Sequence, residues 1–173
     1  AIYLAKNGEF LASIVISDQL KADAEFTVSA LKAFGIDNLS ILTGDNNSTA
    51  AEVASQLGLD NFYAELLPDQ KVEKVEELLS KSKKLAFVGD GINDAPVLAR
   101  SDLGIAMGGL GSDAAIEAAD VVLMTDEPSK IVTALKIAAK TKKLVWQNII
   151  MALSIKAVVM ILSIFGMDRK KFY

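Results

Sequence analysis

The chain contains no cysteine and no histidine. Disulfides, Cys/His zinc sites, thiol nucleophiles and histidine general bases are therefore excluded within its 173 residues. Thiol usage accordingly says nothing about redox compartment. There is no excess of basic charge: 18 Lys and Arg stand against 22 Asp and Glu, a net charge of −4, and the basic residues are scattered. That balance argues against nucleic acid as a partner. No signal peptide, internal repeat or low-complexity tract is visible. The chain begins at Ala1, and a piece of a longer protein is expected. Its length allows one or two domains. What it has in abundance is apolar residues, 51% of the total with a mean hydropathy of +0.34, which points to a membrane segment.

The pattern along the chain is strand, then helix, repeated. Ile2-Tyr3-Leu4-Ala5 and the apolar run Phe10 to Ile16 flank Lys6-Asn7-Gly8-Glu9, a hairpin signal. Ala22 to Phe34 reads as a helix closed near Gly35. Leu39 to Leu42 is a short buried strand that enters Thr43-Gly44-Asp45. Thr49-Ala50-Ala51-Glu52 resembles a capping box opening a helix that stops near Gly58. Phe62-Tyr63-Ala64 is a weak strand, and Pro68 starts a helix with Val72, Val75, Leu78 and Leu79 on one face. Strands at Leu85–Val88, Leu103–Met107 and Val121–Met124 and a helix near Ser112 to Ala118 follow. This alternation with short connections predicts an α/β fold with a parallel, Rossmann-like sheet covered by helices.

The run Gly89-Asp90-Gly91-Ile92-Asn93-Asp94-Ala95-Pro96 follows the Leu85–Val88 strand and precedes a helix beginning near Val97. Asp90, Asn93 and Asp94 offer two carboxylates and an amide within five residues. Hard oxygen donors at the C-terminal end of a parallel strand suit Mg²⁺. Gly108-Gly109-Leu110-Gly111 does not have the spacing of a dinucleotide fingerprint and reads as a flexible loop.

After Pro128 the character changes. A helix from about Ser129 carries Lys136, Lys140, Lys142 and Lys143 and runs into the apolar stretch 144–167. That stretch exceeds the roughly 20 residues needed to span a bilayer. It holds one charge, Lys156, and Trp146 sits near its start, where interfacial aromatics belong. A lysine at mid-membrane costs about 2.5–3.5 kcal/mol on insertion scales, so Lys156 is expected to face protein or water.

Taken together, these motifs resemble the phosphorylation domain of P-type ATPases, which has the haloacid-dehalogenase fold. Asp18-Gln19-Leu20-Lys21 is similar to the family's Asp-x-x-Lys/Arg segment, Thr43-Gly44-Asp45 to its TGD motif, and Pro68-Asp69-Gln70-Lys71 to the stretch supplying its motif lysine. GDGINDAP at 89–96 is similar to its hinge and Mg²⁺ loop. The resemblance implies ATP as substrate and an aspartyl-phosphate intermediate. It implies that Thr43 and Gly44 donate to phosphoryl oxygens, Lys71 neutralises phosphoryl charge, and Asp45 orients nucleotide or Mg²⁺. Asp90 would ligate Mg²⁺, with Asn93 and Asp94 in or beside that shell. Asp18 and Lys21 would lie near the phosphorylation site. Lys156, shortly after Gln147-Asn148, resembles the lysine of the zinc, cadmium and lead exporters, where it acts beside the ion site as a built-in counter-cation. The Tyr-Asn pair typical of copper pumps is not in this helix.

The sequence also departs from that pattern. The family's nucleophile run, Asp-Lys-Thr-Gly-Thr, does not occur in it, and neither does a Cys-Pro-Cys metal motif. The nucleotide-binding domain and the helix with the transport aspartate are likewise not recognised. The tail 168–173 does not resemble the family's continuation, and its basic residues sit awkwardly with the positive-inside rule.

The resulting expectation is an incomplete haloacid-dehalogenase-type sheet without its central nucleophile strand over residues 1–128, a stalk helix over 129–143, a membrane helix over 144–167 and a tail. The parent would be a multi-pass pump of the plasma or inner membrane exporting Zn²⁺, Cd²⁺ or Pb²⁺, with residues 1–143 cytoplasmic. Its partners would be lipid and the pump's remaining segments. The chain alone is expected to be inactive and only marginally stable. A fragment of a soluble phosphatase of the same fold, or a non-catalytic product that binds the full pump, are the alternatives.

Overall fold

A computed structural model describes residues 2–14, 19–81, 84–89, 91–108 and 113–164. By internal contacts the chain divides into two units, residues 1–130 and residues 131–173.

The first unit opens with a hairpin of β1 (Ile2–Lys6) and β2 (Glu9–Ile14), antiparallel with a register slip between Leu4 and Ala5. Asn7 and Gly8 both take positive φ, 54° and 84°. That is the type I′ geometry that Asn-Gly accommodates and that matches the twist of paired strands. Helix α1 (Ala24–Ala33) ends at Phe34, and Gly35 follows in the left-handed region, as expected.

Next come β3 (Ser40–Leu42), α2 (Asn47–Leu57), β4 (Asn61–Tyr63) and α3 (Pro68–Lys81). The start of α2 differs from the expected capping box at Thr49. The cap is Asn46, whose Oδ1 accepts the Thr49 N–H at 2.9 Å. An Asn immediately after Thr43-Gly44-Asp45 already satisfies the first turn, so Thr49 falls inside the helix. Helix α3 buries Val75 and half-buries Val72, Leu78 and Leu79, the face predicted from their spacing.

Strand β5 (Ala86–Gly89), a 3-10 turn at Ile92–Asp94, α4 (Ala95–Arg100), β6 (Leu103–Met107), α5 (Asp113–Ala118) and β7 (Val121–Leu123) complete the unit. Strands β5, β6 and β7 form one parallel sheet in that order. Central β6 is buried from Gly104 to Met107, as a strand covered on both faces should be. Leu98 from α4, Ala106 from β6 and Ala115 from α5 are the centre of its core, with Phe87, Ala118, Ala119 and Val122 around them. Helix α4 can lie this close because β6 has a glycine beneath it. A Cβ at Gly104 would stand 2.7 Å from the Leu98 carbonyl oxygen.

Strands β3 and β4 form a second parallel sheet, with Ile41 opposite Phe62. Among the described residues the two parallel sheets are not joined: β3 and β5 each keep an edge without a strand beside it. These are the two strands between which the family resemblance puts the nucleophile's strand.

In the second unit, α6 (Ser129–Ile164), which begins at the last residues of the first, is one helix of 36 residues. At 1.5 Å per residue that is about 54 Å. It is long and apolar enough to cross a membrane. Positions 165–173 of the expected span and tail lie outside the described residues.

Candidate functional site

The C-terminal ends of β3 and β5 carry the chemistry-bearing loops, and α3 stands between them in sequence. The Thr43–Asn46 loop is tied by its own backbone. The Thr43 N–H donates to the Tyr63 carbonyl at 2.9 Å, and the Leu66 N–H donates to the Thr43 carbonyl at 3.0 Å. The Thr43 hydroxyl donates to Asp45 Oδ2 at 2.8 Å, and accepts the Asp45 N–H at 3.1 Å. Asp45 therefore sets the hydroxyl's orientation, while Gly44 and Asp45 stay exposed. Glu65, at φ 57°, donates its N–H to the Asp45 carbonyl at 2.8 Å, a left-handed turn that returns the chain from β4 beside this loop.

Lys71 occupies the first turn of α3. The helix is started there by Pro68 and by Gln70, whose Oε1 accepts the Leu67 N–H at 2.9 Å, half of a capping box. One turn on, Lys74 sits over the Tyr63 ring, 4.2 Å from its centroid, and fixes α3 against β4. Lys71 Nζ then meets Asp94 Oδ1 at 3.1 Å. Both side chains are largely enclosed, 18% and 13% exposed, so this ion pair is less screened than the surface pairs elsewhere in the unit.

Asp94 ends the 3-10 turn, with its N–H donating to the Gly91 carbonyl at 3.1 Å. It packs directly on Gly89: a Cβ there would lie 2.8 Å from the Asp94 Cβ. Asn93 is exposed beside it. Asp90 and Asp18 lie outside the described residues. Lys21 pairs with Asp126, and Lys156 lies on α6.

The donor set here is carboxylate and amide oxygen with no nitrogen or sulfur ligand, which fits Mg²⁺. Among the described residues no three acidic side chains converge on one point. The cation opposite Asp94 is Lys71. Gly89 and Gln70 were not singled out from the sequence as separate positions. Gly89's signal is its place at the head of the quoted loop, and Gln70's is its position three residues after the residue it caps.

The description haloacid dehalogenase-like hydrolase matches residues 1–102, more than half of the chain, and the chain belongs to that family. Within it, the chain is similar to metal-transporting P-type ATPases. It is 54% identical over 168 residues to the cadmium, zinc and cobalt-transporting ATPase of Bacillus subtilis (strain 168), covering 95% of this chain and 24% of that protein. It is 55% identical over 168 residues to the zinc-transporting ATPase of Synechocystis sp., covering 96% of this chain and 23% of that one. A crystal structure of a zinc-transporting PIB-type ATPase in the E2.Pi state superposes with a TM-score of 0.82 at 42% identity, over 93% of this chain and 26% of that chain. The expected fold and family resemblance are thereby borne out. The chain spans about a quarter of the length of the curated relatives it matches.

Proposed function

We propose that this chain is the segment of a heavy-metal-exporting P-type ATPase that carries the second half of the phosphorylation domain and the membrane helix behind it. Residues 1–128 serve phosphoryl transfer, 129–143 form a stalk and 144–167 cross the membrane. The observation that carries this reading is the Lys71–Asp94 pair, 3.1 Å apart at the GDGINDAP loop, in a chain similar to such pumps along 95% of its length.

In the reaction, an aspartate supplied by the longer protein attacks the γ-phosphorus of ATP. A carboxylate–phosphorus bond forms, the bond to ADP breaks, and water later hydrolyses the acyl phosphate. Such transfers depend on positioning and charge stabilisation. The Thr43 hydroxyl, aligned by Asp45, and the Gly44 N–H donate to the transferred group's oxygens. Lys71 gives up part of its pairing with Asp94 and neutralises their charge. Asp90, Asn93 and Asp94 would hold Mg²⁺, which supplies further neutralisation of phosphoryl oxygens when bound. Lys156 acts in the membrane as a fixed cation near a divalent cargo, Zn²⁺, Cd²⁺ or Pb²⁺.

The test is a chimera. The matched 168 residues of this chain replace their counterpart in the Bacillus subtilis pump. Metal-stimulated ATPase activity, an acid-stable, hydroxylamine-labile phosphoenzyme and metal uptake into vesicles are then measured. Retention of all three supports the reading; a chimera that is made and inserted but never phosphorylated overturns it.

A further inference from the structure

Asp23 occupies the N-cap position of α1, where an aspartate ordinarily accepts hydrogen bonds from its own helix, yet its side chain makes no cap bond there. Its Oδ2 instead accepts the Ser129 N–H at 2.8 Å, 106 positions along the chain. Ser129 is the first residue of α6, and a first-turn N–H has no partner within its helix. That bond holds the Asp23 carboxyl below its ordinary value, so a full negative charge sits at the positive end of the helix. Two residues earlier, Lys21 forms an ion pair with Asp126, three residues before the same helix start. The motif's lysine and Asp23 just after it thus hold the approach to α6 at Asp126 and its first residue at Ser129, both within the unit of residues 1–130. From Ser129 to Ile164 the helix contains no glycine and no proline. Sharp kinks arise at such residues, and α6 offers none to absorb a displacement of its first turn.

We propose that Asp23, supported by Lys21, is a positioning residue that fixes where α6 starts and so couples events in the phosphoryl-transfer unit to the membrane helix. The proposal rests on the functional reading above. It moves part of the Asp-x-x-Lys segment from chemistry to coupling. Asp23 touches the helix start, and acts on transport only through it.

The chimeric pump tests it with Asp23→Ala and Asp23→Asn, the latter keeping a carbonyl acceptor for the Ser129 N–H. Asp23→Ala is expected to leave phosphoenzyme formation from ATP intact while metal uptake per phosphoenzyme drops about five- to tenfold, the scale of a lost helix cap. Asp23→Asn restores most of the uptake. Hydrogen exchange followed by mass spectrometry should show faster exchange in the peptide from Asp126 to Lys136 in the alanine variant, with β5 and β6 unchanged. Unchanged exchange in that peptide would overturn the clamp. Phosphoenzyme and uptake falling in equal proportion would reduce Asp23 to a structural role and overturn the coupling. A chimera with the native segment that is never phosphorylated would count against the functional reading instead, and the exchange comparison, which needs no turnover, would still decide the clamp.

Discussion

Lys71 Nζ lies 3.1 Å from Asp94 Oδ1, which joins the first turn of α3, the helix that follows the β3–β4 sheet, to the 3-10 turn that follows β5. Lys71→Ala in the chimeric pump is expected to lower the rate of phosphoenzyme formation by about 10²–10³, the usual loss for one preorganised charge stabiliser. It also strands the enclosed Asp94 carboxylate, at a stability cost of about 1–3 kcal/mol. Lys71→Arg should recover stability better than rate, because the guanidinium reaches the carboxylate but places its charge differently. Rapid-quench phosphorylation and thermal melts check both. A variant phosphorylated at the native rate would remove Lys71 from the chemistry.

Gly89 and Gly104 are both sterically closed, with different consequences. A methyl at Gly104 meets the Leu98 backbone at 2.7 Å, so Gly104→Ala must lift α4 off β6. The expected cost is about 1–3 kcal/mol. A methyl at Gly89 meets the Asp94 side chain at 2.8 Å, so Gly89→Ala displaces the partner of Lys71. Phosphorylation should suffer there more than the melting temperature does. Melts and phosphoenzyme levels measured side by side would expose an error if the two variants behaved alike.

The edges of β3 and β5 next to the gap should be the soft places of the isolated chain. Backbone groups at an unpaired edge exchange with solvent, while β6 is paired on both sides. Amide exchange on the 173-residue chain in detergent is expected to protect Ile105 and Ala106 strongly and Leu42 and Ala86, whose N–H groups point away from β4 and β6, weakly. Equal protection on all four would mean the gap is closed by other means. The same preparation should form no phosphoenzyme from ATP; one lost on Asp90→Asn would refute that expectation.

Acidification should loosen the start of β5. The hydrogen bond from Lys84, then that from the Leu85 N–H, holds the Asp102 carboxyl below its ordinary value of 3.8. A carboxyl with a depressed folded pKa contributes stability above its unfolded value, and loses it as pH falls through the folded one. Glu77 is pushed down to about 2 chiefly by the Lys74 hydrogen bond, with Lys81 next, and titrates in the same sense. Asp102→Asn should therefore melt below the native chain at neutral pH, with the gap narrowing below pH 3.8. A gap independent of pH, followed by circular dichroism, would remove Asp102 from the acid response.

Lys156 is the single charge in the apolar stretch of α6. Lys156→Ala in the chimera should leave phosphorylation by ATP intact and slow metal release, read as phosphoenzyme that persists and uptake that falls. Lys156→Arg should be intermediate. Native uptake in the alanine variant would leave the lysine no part in transport.

Much of this was legible beforehand because it is written in local chemistry. Asn7-Gly8 demands a primed turn, Pro68 and the spacing of Val72, Val75 and Leu78 demand an amphipathic helix, and an apolar run of helix length demands a membrane or a core. The α2 cap was misplaced because two capping patterns overlap within Asn46–Glu52, and only the backbone at Asn46 decides between them. The site residues could be named from their motifs, but not paired. That Lys71 faces Asp94, or that Asp94 rests on Gly89, depends on how helices and strands pack.

The sequence by itself determined the elements, their parallel α/β order and the kinds of side chain at the strand ends, since propensity, turn chemistry and periodicity act over a few residues. Only the tertiary structure decided which distant groups meet. Asp23 had a free choice between capping its own α1 and capping α6, 106 positions away. Both helices begin with N–H groups that have no acceptor within their own helix, so local rules favour the near one. The packing that brings Ser129 to the Asp23 carboxylate settles it the other way.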